Sequence, residues 1–165
     1  MTTARTSFAR RSFRGVAVAA IAGAGIALSP LPASADTAVA ASASATAVSS
    51  AAQTAVNTAL AQVGDRYVYG ATGPNSFDCS GLTSFSYKAA GISLPRTSKA
   101  QSTFGTPVSK ANLQPGDLVF FYSPVSHVAM YIGNGQIVHA LNSSKPVQVM
   151  KLDSMPSYAG ARRVA

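Results

Sequence analysis

The hydrophobic pattern of this chain changes its period once, and this change restricts the possible folds more than any other feature. Between residues 53 and 91 apolar side chains recur at helical spacing, and Gly64 and Gly91 stand where helices are expected to end. From Asp117 onward the pattern becomes short runs of Val, Ile, Phe and Tyr, which is typical of strands joined by turns. Helices followed by strands predict an α+β domain with a C-terminal antiparallel sheet. The predicted helices cover residues 53–63 and 79–90, and the predicted strands 117–122, 126–132, 136–141, 146–150 and 160–164.

The beginning of the chain has the layout of an export segment. Residues 1–14 carry four arginines and no acid, and residues 15–28 are uncharged and rich in Ala, Val and Ile. Ala33-Ser34-Ala35 then supplies the small residues that a signal peptidase requires. This order predicts a signal peptide over residues 1–35. Because the apolar stretch is shorter than the ~20 residues of a membrane span, we expect a secreted protein, extracellular or wall-associated, without a stable membrane anchor.

A flexible linker is predicted over residues 36–52, which are almost all Ala, Ser, Thr and Val. The folded domain is therefore expected over residues 53–165. Of the +8 net charge, half lies in the leader, and the remaining nine basic and five acidic residues leave +4. This modest positive charge suits anionic wall polymers and solubility equally well, and it does not require a nucleic acid partner.

The chain has one cysteine, Cys79. In an exported protein most thiols pair as disulfides, so a single cysteine forms an intermolecular bond or remains a reactive thiol. Asp78, a residue type favoured at helix N-caps, precedes Cys79 and places it in the first turn of the predicted helix. The partial positive charge of a helix N-terminus favours the thiolate, so Cys79 is predicted to be a nucleophile that alkylates well below the reference pKa of ~8.5.

The only two histidines, His127 and His139, flank the hairpin signal at residues 133–135. A three-residue loop would pair His127 with Leu141 and leave the two imidazoles on one face. A two-residue turn over the first two loop residues would pair His127 with Ala140 and send His139 to the opposite face. The sequence leaves both registers open.

In the first register the two histidines can work together. His127 would act as base toward Cys79, and His139 would hold the imidazole of His127 in the useful tautomer. The alternative is that both histidines only fill half-buried strand positions.

The motifs around these residues resemble those of the NlpC-type family of bacterial cell-wall cysteine peptidases. The resemblance covers residues 53–165 and implies a papain-like α+β fold, with the catalytic cysteine at a helix N-terminus packed on an antiparallel sheet. It also implies cleavage of peptidoglycan stem peptides, most often between D-γ-glutamate and a diamino acid, with neither metal nor cofactor. The matching segments are Phe77–Leu82, Leu94–Ser98, Gly116–Phe121, His127–Gly133 and Val138–Ala140.

The resemblance further implies a role for each site residue. Cys79, His127 and His139 match the catalytic positions, and Tyr67, Asp78, Ser80 and Arg96 match the substrate-binding positions. Asp78 and Ser80 would hold a peptide amine, Arg96 a carboxylate, and the Tyr67 hydroxyl would lie near the oxyanion. Asp78 as a simple helix cap and Arg96 in a surface ion pair are the structural alternatives.

Two other functions remain open from the sequence. One is an amidase or acyltransferase that uses the same catalytic residues on another bond of the wall. The other is a catalytically silent wall-binding module in which Cys79 forms an intermolecular disulfide.

Overall fold

The computed structural model describes residues 48–165. The predicted signal peptide, residues 1–35, and most of the predicted linker, residues 36–52, lie outside the described residues. Within the described part of the chain, no helix combines the length and the apolar character needed to cross a membrane.

The first helix, α1, spans Ser50–Ala61. The Ser49 hydroxyl caps it by accepting a hydrogen bond from the backbone N–H of Ala52 at 3.0 Å. The helix begins at Ser50 rather than at residue 53, inside the predicted linker, because a serine cap is followed here by alanines that favour helix. Val63, the last residue of the predicted helix, lies beyond α1 and is 47% exposed. The residues that α1 buries are Ala52, Ala55, Val56 and Ala59.

The second helix, α2, spans Cys79–Ala89 as the periodicity predicts. It directly follows a pair of two-residue parallel strands, β1 at Arg66–Tyr67 and β2 at Ser76–Phe77. A single-turn helix, α3, follows at Ser98–Gln101. Neither the small parallel pair nor α3 was predicted, because elements this short leave no hydrophobic period.

A six-stranded antiparallel sheet forms the C-terminal half. The strands are β3 at Thr106–Val108, β4 at Leu118–Phe121, β5 at His127–Gly133, β6 at Gln136–His139, β7 at Gln148–Lys151 and β8 at Tyr158–Arg163. Their order in the sheet is β3-β8-β4-β5-β6-β7. The predicted fold class, with N-terminal helices and a C-terminal antiparallel sheet, is confirmed. Strand β3 was not predicted; it is short, lies at the sheet edge and contains Pro107, which only an edge strand readily accommodates.

Strand β4 is buried on both faces, which explains its uninterrupted apolar sequence. Leu118 and Phe120 join the core that contains the buried residues of α1 and α2. Val119 and Phe121 belong to a second core on the opposite face, together with Leu152. The sheet is thus the middle layer of the domain.

Helix α2 is tied to the sheet at the end away from Cys79. The fully buried Tyr87 donates a hydrogen bond from its hydroxyl to the carbonyl oxygen of Gly116, at 2.6 Å, just before β4. Burial raises the pKa of Tyr87, so the hydroxyl keeps its proton for this bond. The contact helps to fix the direction of α2 across the sheet.

The β5–β6 hairpin closes with a two-residue turn at Asn134 and Gly135, whose φ values are 52° and 68°. Positive φ at both central residues is the signature of a type I′ turn. Gly133 pairs with Gln136 across this turn. The turn therefore lies one residue later than the predicted two-residue turn, and the predicted three-residue loop is not formed.

Candidate active site

An irregularity in the hairpin decides where the two histidines lie. Between Tyr131 and Gly133 the register shifts by one residue, and deeper in the hairpin Met130 pairs with Val138. This inner pairing is the register expected from a three-residue loop, although the loop itself is shorter. The β-bulge supplies the extra residue and so keeps both imidazoles on one face.

The imidazoles of His127 and His139 are in direct contact. His127 Nε2 lies 3.1 Å from His139 Nδ1, with the ring centroids 5.2 Å apart. Their exposed fractions are 5% and 0%. Because His139 occupies Nε2 of His127, only Nδ1 of His127 remains for a proton from another group.

Cys79 is the first residue of α2 and carries a free thiol. The backbone N–H of Val128 lies close enough to the thiol to lower its pKa. Val128 follows His127 in β5, so the thiol lies at the start of the strand that carries the predicted base. The predicted placement of the cysteine at a helix N-terminus is confirmed.

Gly81 explains why the motif around Cys79 needs a glycine in the first turn of α2. A Cβ at this position would collide with the backbone carbonyl oxygen of Ala71. The N–H of Gly81 meanwhile donates to the carboxylate of Asp78 at 2.6 Å. The loop before β2 can therefore pack directly on the helix start.

Burial controls the charge of Cys79, His127 and His139. It raises the pKa of the Cys79 thiol, although the backbone N–H groups of Val128 and Ser80 act in the opposite direction. Burial, followed by the charge of His139, lowers the pKa of His127 to about 3. Burial, followed by the charge of Lys145, lowers the pKa of His139 to about 4.

The resting site therefore holds a neutral thiol and neutral imidazoles. The expected low thiol pKa is not found, because the cost of removing the thiolate from water outweighs the favourable backbone N–H groups. Because His127 is neutral, one of its ring nitrogens has a lone pair that can accept a proton.

A charged cluster lies at the start of α2. The Asp78 carboxylate accepts hydrogen bonds from the N–H groups of Gly81 at 2.6 Å and Gly70 at 2.9 Å. Arg96 donates to both carboxylate oxygens, at 3.1 and 2.6 Å. The Ser80 hydroxyl donates to Asp78 at 3.3 Å and accepts from Arg96 at 2.9 Å. Both structural alternatives considered above, the helix cap and the ion pair, are present.

The ionised forms in this cluster stabilise each other. Burial alone would raise the pKa of Asp78, but the hydrogen bonds from Arg96 and from the Gly81 N–H hold it below its usual range. The hydrogen bond to Asp78 raises the pKa of Arg96. Asp78 and Arg96 therefore remain charged, whereas His127 and His139 are neutral.

A groove of about 410 Å³ connects the thiol to this cluster. The groove brings all four predicted substrate-binding residues together with Cys79; their individual roles remain predictions. A larger hollow of about 520 Å³ lies beside β3, but no cysteine lines it, whereas Cys79 lines the groove, so the chemistry favours the groove. The groove is lined by Tyr67, Asp78, Cys79, Ser80 and Arg96, and also by Tyr69, Gly70, Thr97, Ser98 and Ser126.

Two glutamines near the site were not predicted. Gln148 Nε2 lies 3.4 Å from His139 Nε2. The buried Gln101 donates to the carbonyl oxygens of Pro95 at 2.8 Å and Ser80 at 3.2 Å, and so holds the segment before Arg96 against α2. Both contacts depend on tertiary pairing, for which the sequence has no local signal.

Within residues 48–165, no three His, Cys, Asp or Glu side chains cluster as they would to hold a metal ion. The histidines are instead hydrogen-bonded to each other.

A cysteine at a helix N-terminus, next to an antiparallel strand that carries one of two histidines in contact, is the arrangement of the papain-like class of cysteine hydrolases. Residues 64–163 match the model of the NlpC/P60 family. The chain belongs to the NlpC/P60 family, as its motifs predict.

Relatives in this family are similar over the same domain. An endopeptidase of Corynebacterium glutamicum, named as probable, is 51% identical over 114 residues, which cover 69% of this chain and 54% of that protein. A gamma-D-glutamyl-L-lysine dipeptidyl-peptidase of Bacillus cereus is 41% identical over 121 residues, which cover 68% of this chain and 36% of that protein. The chain thus spans about half, or less, of the length of these relatives.

The fold is similar to that of a solved peptidoglycan hydrolase. The structure of RipB from Mycobacterium tuberculosis matches with a TM-score of 0.63 and 28% sequence identity. The match covers 69% of this chain and 64% of that one.

Proposed function

We propose that this protein is a secreted cysteine endopeptidase that cleaves stem peptides of bacterial peptidoglycan, at the bond between D-γ-glutamate and the diamino acid. The observation that carries the proposal is the hydrogen-bonded pair of His127 and His139 at the strand beside the only thiol. The substrate is suggested by the peptidoglycan hydrolase and the gamma-D-glutamyl-L-lysine peptidase among the similar proteins.

The proposed mechanism uses Nδ1 of His127, the ring nitrogen that does not contact His139. The sulfur of Cys79 attacks the peptide carbonyl carbon while Nδ1 of His127 takes the thiol proton. The resulting imidazolium gives this proton to the leaving amine, and a thioester to Cys79 remains. Water then attacks the thioester with His127 again as base, and the thiol is regenerated. The backbone N–H of Cys79 is positioned at the helix N-terminus to stabilise the oxyanion.

Substrate binding is assigned to the charged side of the groove. An ammonium group of the stem peptide would bind Asp78 and Ser80, a carboxylate would bind Arg96, and Tyr67 would lie beside the reacting carbonyl. Because Gly70, Gly81 and Arg96 already donate to Asp78, an incoming ammonium has to share this carboxylate with Arg96.

The test is to incubate the protein and its Cys79→Ala variant with purified peptidoglycan and to identify the released fragments by mass spectrometry. We expect fragments cut after D-glutamate from the parent protein only. Cleavage at the muramoyl-alanine bond would instead identify an amidase. Equal wall binding by both proteins without release of any fragment would favour the silent module.

Secretion is a separate part of the proposal and rests on residues 1–35. N-terminal sequencing of the protein recovered from the medium or the wall should find Asp36 as the first residue. Intact protein that retains residues 1–35 in the membrane fraction would contradict it.

A further inference from the structure

Gln148 is the partner of the outer nitrogen of His139. The two residues are directly opposite each other on β7 and β6, and their side-chain Nε2 atoms are 3.4 Å apart. His139 is fully buried. A buried imidazole nitrogen needs a hydrogen-bond partner, and Gln148 is the side chain that can supply it.

Hydrogen-bond accounting along the histidine pair leaves two arrangements. A neutral imidazole carries one donor and one acceptor nitrogen. If the proton between the rings belongs to His127 Nε2, then Nδ1 of His127 has a free lone pair and His139 carries its own proton on Nε2. If that proton belongs to His139 Nδ1, then Nδ1 of His127 is protonated and cannot accept the proton of Cys79.

In the structure the amide nitrogen of Gln148 faces His139 Nε2, but the amide can support either arrangement. A half-turn of a glutamine amide exchanges its oxygen and nitrogen at the same place. The oxygen would accept the proton on His139 Nε2 and so stabilise the first arrangement. The nitrogen would donate to His139 Nε2 and stabilise the second.

We propose that Gln148 acts as a positioning residue, whose amide oxygen holds His139, and through it His127, in the tautomer that can accept the thiol proton. The inference rests on the proposed roles of Cys79 and His127. The charged group that acts on His139 is Lys145. Its ammonium group has no acceptor and so cannot replace the amide oxygen of Gln148.

Long-range ¹H–¹⁵N NMR of the two histidines tests the proposal directly, because it reports which ring nitrogen carries the proton. Three variants vary the hydrogen bonding at one position: Gln148→Glu can only accept, Gln148→Lys can only donate, and Gln148→Met does neither in any strength. The spectra are recorded at about pH 8, where His139 beside a new carboxylate remains neutral. Gln136→Met, an exposed glutamine on β6, is the control.

We expect the proton of His127 on Nε2 in the parent protein, in Gln148→Glu and in the control. In Gln148→Lys it should move to Nδ1, and kcat for stem peptides should fall on the order of 10- to 100-fold with little change in KM, as for other partners that orient an imidazole. Gln148→Met should populate both tautomers and lose less activity. Gln148→Glu should keep kcat close to the parent value.

The same His127 tautomer in all variants would overturn the positioning role. In a protein that cleaves stem peptides, equal kcat in the donor-only and acceptor-only variants would also overturn it. A tautomer that follows residue 148 in a protein that cleaves no stem peptide would support the positioning role and reject the proposed function. The two inferences therefore fail by different measurements.

Discussion

The histidine pair of the sheet and the charged cluster at the start of α2 respond to burial in opposite ways. On the sheet side, burial lowers the pKa of His127 to about 3 and of His139 to about 4, so both are neutral. On the helix side, Asp78 is also buried, but Arg96 and backbone N–H groups keep its pKa below the usual range. The comparison shows that burial neutralises a group without a counter-ion and leaves a paired group charged. The sheet side therefore carries neutral imidazoles, and the helix side carries a charged carboxylate and a charged guanidinium.

Removal of the base should have the largest effect. We expect His127→Ala to lower kcat/KM for stem peptides by about 10³-fold, within the range of a positioned base. Tyr69→Ala is the control, because Tyr69 lines the same groove but is 88% exposed. Its effect should stay within about twofold. Steady-state kinetics measure both, and a His127→Ala variant with more than about a tenth of parent activity would remove His127 from its assigned role.

The buried, neutral His127 and His139 should make the folded state less stable in acid. Above pH ~6.5 both histidines are neutral in the folded and unfolded chains, whereas below it only the unfolded chain readily binds protons. Their stabilising effect is therefore complete above pH ~6.5 and is lost as the pH falls toward the folded values of about 3 and 4. At pH 5 the loss should be about 2 kcal/mol for each histidine.

Urea denaturation at pH 7 and pH 5 measures this loss without interference from carboxyl groups, because the chain has no Glu and an Asp titrates lower. The His139→Asn variant should lose about half as much stability as the parent between these pH values. An equal loss in both proteins would mean that His139 is not held neutral by the fold.

The charged side can be tested by comparing two helix caps. Asp78→Ala removes the cap of α2 and leaves Arg96 without its carboxylate, so the free energy of unfolding should fall by about 2–3 kcal/mol. Ser49→Ala removes only the cap of α1 and should cost about 1 kcal/mol. Urea denaturation of both variants gives the difference, which isolates what the cluster adds to capping. Equal losses would show that the cluster adds nothing.

Sequence patterns predicted the parts of this molecule that depend on nearby residues. Asp78 followed by a helical period was enough to place Cys79 at a helix start, and the flanking strands were enough to predict a hairpin with His127 and His139. The true hairpin combines a two-residue turn with a bulge, and the bulge restores the register in which the histidines meet. A bulge is set by how the strands pack in the sheet, so the sequence left two registers open.

Contacts between distant segments were beyond prediction. Gln148 meets His139 only because β7 pairs with β6 in one register. For Arg96 the sequence offered a substrate carboxylate or a surface ion pair, but it did not identify the partner. The pairing with Asp78, 18 residues earlier, depends on how Gln101 holds the intervening segment. The sequence predicted a lowered pKa for the Cys79 thiol, whereas the pKa is raised. This prediction was wrong because the burial of the thiol depends on tertiary packing.

The smallest effect is expected from the exposed partner of the ion pair. Arg96 is 43% exposed, and without it Asp78 still accepts from Gly70, Gly81 and Ser80. Arg96→Gln should therefore lower the free energy of unfolding by less than about 1 kcal/mol, as for other solvent-exposed ion pairs. Urea denaturation at low and high salt checks this, because salt screens such a pair and should reduce the difference from the parent. A loss as large as that of Asp78→Ala would show that Arg96, rather than the backbone donors, keeps the helix side of the groove charged.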